Sequence, residues 1–267
     1  MSLNIVVLVK SVPDPKSPVN ISPEGKLDLR NIKYVVNPGD KYAVEAALQL
    51  REKYGGRVIG LSLGLPGLAD VYREVLAMGV DEFIYISDPL ARDYDTLQTS
   101  YIISNGLGKI REKYGEINLI LSGVEASDTN SGQVPIQLGE LLDIPSIFYV
   151  DRILEVKRDS VIVKRIIEDG YMIIEAKIPA ILAIADTSYE PRIPSLRDVI
   201  SARRKSIISW SLNEIMREKL FEAGVRLAYV KPVEIKRKRK IIFEEDVDKA
   251  LDKFFEELRR DNVSLGG

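Results

Sequence analysis

The chain has 267 residues, 45% of them hydrophobic, enough to bury a large core as one big α/β domain or as two smaller ones. It contains no Cys and no His, which excludes disulfides, thiol catalysis and Cys-ligated metal or iron–sulfur centres and removes the commonest general base and metal ligand. Its 38 basic and 40 acidic residues leave a net charge of −2 and no overall electrostatic reason to bind nucleic acid. No apolar run reaches the ~18 residues of a membrane helix, and the N-terminus enters a strand without the features of a signal peptide, so a cytoplasmic protein is expected. The many Ile, Lys, Arg and Glu residues point weakly to a thermophile.

Residues 3–9 are an unbroken aliphatic run ending at Lys10, the pattern of a central parallel strand. Four prolines (Pro13, Pro15, Pro18 and Pro23) then predict a long irregular loop over 10–25, leaving the end of that strand. After short extended segments in 27–36, Asn37-Pro38-Gly39-Asp40 makes a sharp turn. Asp40 reads as the N-cap of a helix over 41–54, with Ala43, Ala46, Ala47 and Leu50 on its packing face. A second strand over 57–63, a helix ending at Met78 with Gly79 as its cap, a third strand over 82–86 and a long helix over 94–114 follow. Strand and helix alternate throughout, which predicts a parallel, doubly wound sheet.

Residues 118–122 are the fourth strand, and a polar loop with Gly123, Ser127, Asp128, Thr129, Asn130, Ser131, Gly132 and Gln133 leads into a helix over 134–142. Strand, small-residue loop and helix in that order can aim several backbone amides at an anion, so a phosphate-bearing ligand is the first functional hypothesis. The loop is neither a G-x-G-x-x-G fingerprint nor a P-loop, and an ordinary strand-to-helix turn is the plain alternative. Beyond Leu142 the rhythm changes: 144–150, 153–157, 161–167 and 172–177 are strand-like with hairpin turns between, an antiparallel extension at the sheet edge. Residues 180–185 read as one more buried strand. Two prolines make 186–205 an extended, exposed loop in which Ser195 caps a short helix. Past Lys205 the sheet rhythm stops. A basic run at 236–240 and an amphipathic helix over 243–260, striped by Val247, Leu251, Phe254, Phe255 and Leu258, form a C-terminal helical arm. The basic run lacks the aromatic interleaving of a nucleic-acid site, and the stripe is expected to be buried against this chain or a partner.

Val9-Lys10-Ser11-Val12-Pro13-Asp14, the segment from Asn37 to Leu48, Ala77-Met78-Gly79-Val80-Asp81, Val163-Lys164-Arg165, Ile178-Pro179-Ala180 and Glu190-Pro191-Arg192 through Leu196 to Lys205 stand in an order and spacing that resembles the β subunit of electron transfer flavoproteins. The resemblance covers almost the whole chain. It implies a heterodimer with an α subunit that carries most of the redox FAD, and an AMP, or a second FAD in electron-bifurcating forms, held by this subunit. It places the adenine-nucleotide site at Leu8, Asn37, Pro38, Gly39, Asp40, Leu63 and the loop from Gly123 through Ser127, Asp128, Thr129, Asn130, Ser131, Gly132 and Gln133 to Val134. It puts Arg165 at an interface, and Glu190, Pro191, Arg192 and Leu196 in a loop that docks donor dehydrogenases, such as acyl-CoA dehydrogenases of fatty acid oxidation. Electrons would pass on to a quinone oxidoreductase or another acceptor. The implied role is an electron-carrier subunit with no catalytic residue of its own. The nucleotide-binding domain spans 1–205 and the C-terminal arm 206–267, packing on the α subunit. Three departures stand out: a shorter phosphate loop, which leaves AMP versus FAD open; Pro15 and Gly39 in place of family aromatics; and Ile166 where an acid often follows the signature Arg. The alternative from another class is a nucleotide-processing enzyme or sensor on the same kind of sheet, against which stand the missing phosphate-binding Lys, glycine fingerprint and His.

Overall fold

The computed structural model describes residues 2–17, 20–22, 27–28, 32–231 and 239–263, and divides into two compact units with the boundary between Tyr229 and Val230. In chain order the first unit contains β1 (Leu3–Leu8), β2 (Ser11–Pro13), β3 (Asn20–Ile21), β4 (Leu27–Asp28), β5 (Tyr34–Val36), α1 (Pro38–Tyr54) and β6 (Gly56–Gly64). A 3-10 turn (Ala69–Tyr72) leads into α2 (Arg73–Met78), then come β7 (Glu82–Ser87), α3 (Thr96–Tyr114), β8 (Leu119–Gly123) and α4 (Val134–Leu142). The unit closes with β9 (Ser146–Val156), β10 (Ser160–Ile167), β11 (Gly170–Lys177), β12 (Ala180–Ile184), α5 (Leu196–Arg204), β13 (Ile207–Trp210) and α6 (Leu212–Ile215).

Among the described residues a nine-stranded sheet runs β11-β10-β9-β12-β8-β1-β6-β7-β13. The pairs from β9 through β13 are parallel, and β9–β10 and β10–β11 are antiparallel. The predicted doubly wound α/β sheet with an antiparallel extension is therefore the observed fold. Alternate residues of each central strand enter one of two cores. Ile5, Val7, Leu119 and Leu121 pack beneath Ala43, Ala46, Ala47 and Leu50 of α1 and the apolar residues of α2. Val6, Leu8, Ile120 and Ile181 pack beneath Ile102, Leu107 and Ile110 of α3 and Leu138 of α4. Three layers result because both faces of a parallel sheet must be covered.

Four local expectations are corrected. Ser11–Pro13 is a strand, not irregular loop, pairing antiparallel with Tyr34–Val36; Pro13 is tolerated because it ends a two-stranded edge. Residues 144–157 hold one continuous strand, β9, which pairs parallel with β12 in its first half and antiparallel with β10 in its second. The helix ending at Met78 begins as a 3-10 turn, fastened by Tyr72, whose ring stacks on Phe83 at 4.4 Å and whose hydroxyl accepts from the Ser11 amide. The sheet also continues past Lys205, since β13 pairs parallel with β7 in the register Ile207↔Phe83 to Trp210↔Ile86. A four-residue edge strand is too short to register as a periodic pattern.

In the second unit, α7 (Val247–Arg260) is capped by Asp246, whose side chain accepts from the amides of Asp248 and Lys249. None of its residues is buried, and Val247, Leu251, Phe254 and Phe255 are exposed. Lys236 to Lys238 of the basic run lie outside the described residues.

Candidate functional site

The strand order reverses direction beside β1: the chain winds outward through β6 and β7, then returns across to β8 on the other side. In open parallel sheets, ligands bind outside the carboxyl ends of the strands at such a switch point. The carboxyl ends of β1 and β8 here are Leu8 and Gly123, and the sequence-predicted site residues converge on them.

A carboxylate straps this junction. Asp40 is 7% exposed, and its Oδ2 accepts from the Lys10 amide at 2.7 Å while its Oδ1 accepts from the Gly123 amide at 3.2 Å. The expected N-cap role is overturned, because α1 begins at Pro38 with Asn37 in the cap position and Asp40 already inside the first turn. Proline at the first helical position makes the earlier start physically favourable, and it frees Asp40 to reach across the sheet. Asn37, 1% exposed, ties down the polar loop: its Nδ2 donates to the Glu125 carbonyl at 2.9 Å and its Oδ1 accepts from the Ser127 amide at 3.1 Å. Gly39 brings the first turn of α1 close beneath the same loop, since a Cβ there would lie 3.4 Å from the Glu125 carbonyl oxygen.

The loop itself is presented to solvent. Ser127, Asp128, Thr129, Asn130, Ser131 and Gln133 are exposed, and Gly132 is half-buried. Asn130 and Gly132 adopt positive φ of 45° and 58°, and the amides of Thr129 and Asn130 fold back on the Ala126 carbonyl. Gln133 is tied sideways by the Thr96 hydroxyl, which donates to its Oε1 at 2.6 Å. The N-terminus of α4, starting at Val134, has no side-chain cap. Leu8 and Leu63 both belong to the core beneath α3 and α4, so the two predicted apolar contacts share one face.

Two further residues belong here that sequence reasoning did not assign. Lys10 closes the end of β1 and its Nζ pairs with Asp128 at 2.7 Å, supplying a cation beside the loop. Its place directly after the first strand was the available signal. Ser122, 5% exposed, has an Oγ with no hydrogen-bond partner among the described residues. By strand alternation it lies on the same face as Ile120, Leu8 and Leu63. An orphaned buried hydroxyl is costly, and it fits a site whose polar complement comes from a ligand. No group of three potential metal ligands occurs among the described residues.

Burial raises the pKa of Asp40 from an ordinary 3.8 to about 6, against the opposing pull of the Lys10 amide, the Asn37 side chain and the Gly123 amide. Between these values the folded chain holds a proton that the unfolded chain has released, so this group's stabilising contribution is full below pH 3.8 and lost as pH rises through 6. We expect the unfolding free energy of the wild-type chain, from urea titrations, to fall from pH 4 to pH 7 by about 2–3 kcal/mol more than that of Asp40→Asn, which has no proton to lose. Equal pH dependence in the two proteins contradicts the assignment.

The segment after β12 carries the residues expected to dock a partner. Tyr189 is buried, its hydroxyl accepting from the Ile153 amide at 2.8 Å. Glu190 is exposed and Pro191 half-buried, while Ile193 and Leu196 are 94% and 77% exposed. Ser195 caps α5 as expected, with the reciprocal Asp198 carboxylate completing the box. In the extension, Arg165 shares the face of Val161 and Val163 and stands opposite Met172 and Val150, and its buried Nε has no partner among the described residues.

Residues 26–215 match the family model of the electron transfer flavoprotein domain. The chain is 40% identical over 205 residues, 76% of each chain, to the electron transfer flavoprotein subunit beta of Thermoanaerobacterium thermosaccharolyticum. It is 34% identical over 224 residues, 82% of each, to the acryloyl-CoA reductase electron transfer subunit gamma of Anaerotignum propionicum. It is also 33% identical over 215 residues, 80% of each, to the caffeyl-CoA reductase-Etf complex subunit CarD of Acetobacterium woodii. With the fold, these matches place the chain in the electron transfer flavoprotein β-subunit family.

Proposed function

We propose that this chain holds an adenine nucleotide, AMP in the leading reading, at the switch point between β1 and β8 and serves as the non-catalytic half of a heterodimeric electron carrier. What carries the reading is the convergence of Leu8, the Asn37–Asp40 turn, Leu63 and the 123–134 loop on one junction, with the unpartnered Ser122 hydroxyl beneath it. Loop amides, the hydroxyls of Ser127, Thr129 and Ser131 and the uncapped end of α4 suit phosphate, and Leu8 and Leu63 suit the base. Asn37 and Asp40 shape the site from below; their polar atoms are already engaged with the loop and the strand ends.

The FAD shared with the α subunit supplies electron transfer in one- or two-electron steps, with the protein contributing position and electrostatics. The exposed Ile193 and Leu196 form a small apolar contact for donor dehydrogenases, in keeping with transient redox encounters. Mass spectrometry of the ligand released from the denatured complex tests the nucleotide assignment. AMP is the expected mass, FAD would assign the bifurcating form, and no nucleotide would overturn the reading. Leu196→Ala should leave nucleotide content and folding unchanged while slowing reduction by the donor dehydrogenase about tenfold or more, as expected for an interface anchor; unchanged donor kinetics would remove the docking role.

A further inference from the structure

Arg192 lies between two exposed apolar contacts and the buried Tyr189, and its guanidinium turns inward onto α1. Its Nε donates to Glu45 Oε2 at 2.7 Å, its Nη2 to Glu45 Oε1 at 3.0 Å and its Nη1 to Glu52 Oε1 at 2.7 Å. Its backbone amide also reaches Glu45 Oε2 at 3.3 Å. Glu45 is 4% exposed and accepts additionally from Gln49. We infer that Arg192 is a positioning residue: it clamps the segment carrying Ile193 and Leu196 to α1 through Glu45 and Glu52 and makes no ion pair with the docking partner.

The choice between clamp and partner contact rests on what each arrangement leaves behind. If Arg192 swung out to a partner's carboxylate, Glu45 would remain buried with only Gln49 beside it, and an uncompensated buried carboxylate is far more costly than an exposed ion pair is favourable. Burial alone would raise the pKa of Glu45, yet the value falls below the ordinary range because the hydrogen bonds from Arg192 and Gln49 outweigh it. The guanidinium's planar fork matches the two Glu45 oxygens, a geometry that a lysine does not reproduce. Between Tyr189, held by Ile153, and Ser195, which starts the capped α5, Arg192 is placed to fix the path of an otherwise extended stretch flanked by Pro191 and Pro194. Order in that stretch lowers the entropic cost of docking Leu196.

This inference rests on the docking reading only for its functional consequence; the clamp itself is testable alone. In the full-length chain, Arg192→Ala should accelerate amide hydrogen exchange over 193–200 by about 10- to 100-fold, the loss expected for charge-assisted hydrogen bonds. Glu45→Gln should reproduce part of the effect, and Arg192→Lys should fall between. Unchanged exchange in Arg192→Ala would overturn the clamp. With the donor dehydrogenase that reduces the wild-type complex, Arg192→Ala should raise KM for the donor at unchanged kcat, with an ionic-strength dependence identical to wild type. A shallower salt dependence in the variant would show Arg192 meeting a partner charge and would also overturn the proposal. If Arg192→Ala loosens the loop while Leu196→Ala leaves donor kinetics intact, the clamp stands and the docking reading falls.

Discussion

Gly123→Ala should cost the chain about 3 kcal/mol, the upper end of the range for overpacking, and should strip it of bound nucleotide. A Cβ at this position would lie 2.6 Å from Asp40 Oδ1, 2.9 Å from the Gly39 carbonyl carbon and 3.0 Å from the Asp40 amide nitrogen. Two of those atoms are backbone at the start of α1, so no side-chain rotation relieves the clash. The first turn of α1 must instead move off the end of β8, breaking the Asp40–Gly123 hydrogen bond and loosening the loop that Asn37 holds. A loss of this size corresponds to roughly 8 °C in melting temperature for a domain of about 200 residues. Gly108→Ala provides the control: it lies in α3 with nothing within 4 Å of a new Cβ, and there alanine should be neutral or stabilising by up to about 1 kcal/mol. Differential scanning calorimetry with quantitation of released nucleotide measures both effects. A Gly123→Ala protein with wild-type melting temperature and full nucleotide would refute the close packing at the switch point.

Arg165→Met should act in opposite directions on the chain and on its complex. In the chain alone, the buried Nε lacks a partner among the described residues, so replacing the guanidinium by an apolar side chain of similar length should be neutral or stabilising. At the interface where the family resemblance puts Arg165, the same change removes a guanidinium able to pair with a carboxylate of the α subunit. Truncating one member of a buried charge pair leaves the other stranded, and association should weaken about 100-fold or more. Ile167 and Met172, which share the face of Arg165 on β10 and β11, are exposed in this chain, as suits an interface. Thermal melts of the isolated chain and sedimentation of the mixed subunits give the two readings. A Met variant that melts lower yet associates normally would assign Arg165 a purely internal role.

The contrast between what the sequence disclosed and what it concealed is physical. Residues 134–142 were legible from their helical periodicity, and the run beginning at Leu3 because an unbroken aliphatic stretch of that length fits a strand covered on both faces. Strand β2 was hidden by Pro13, a residue that vetoes central strands but not the end of an edge pair. The roles of Asp40 and Arg192 were hidden for a different reason. Local rules made Asp40 a cap and the resemblance put Arg192 in a docking loop, whereas their actual partners lie 30 and 83 residues away for Asp40 and 147 and 140 residues away for Arg192. Order and spacing grouped the Asn37–Asp40 turn with the 123–134 loop, and the structure places the two in contact at the ends of β1 and β8, but the strap that joins those ends depends on tertiary geometry alone.

Helix α1 touches both surfaces. Its first turn underlies the polar loop, and Glu45 and Glu52, further along the same 17-residue helix, grip the docking segment. An α-helix of that length is a stiff rod of about 25 Å, bent only where something interrupts its hydrogen bonds. Ala43, Ala46 and Ala47 bed it in the core, so the polar loop and the segment from Arg192 to Leu196 hang on one rigid element with no break between their points of attachment.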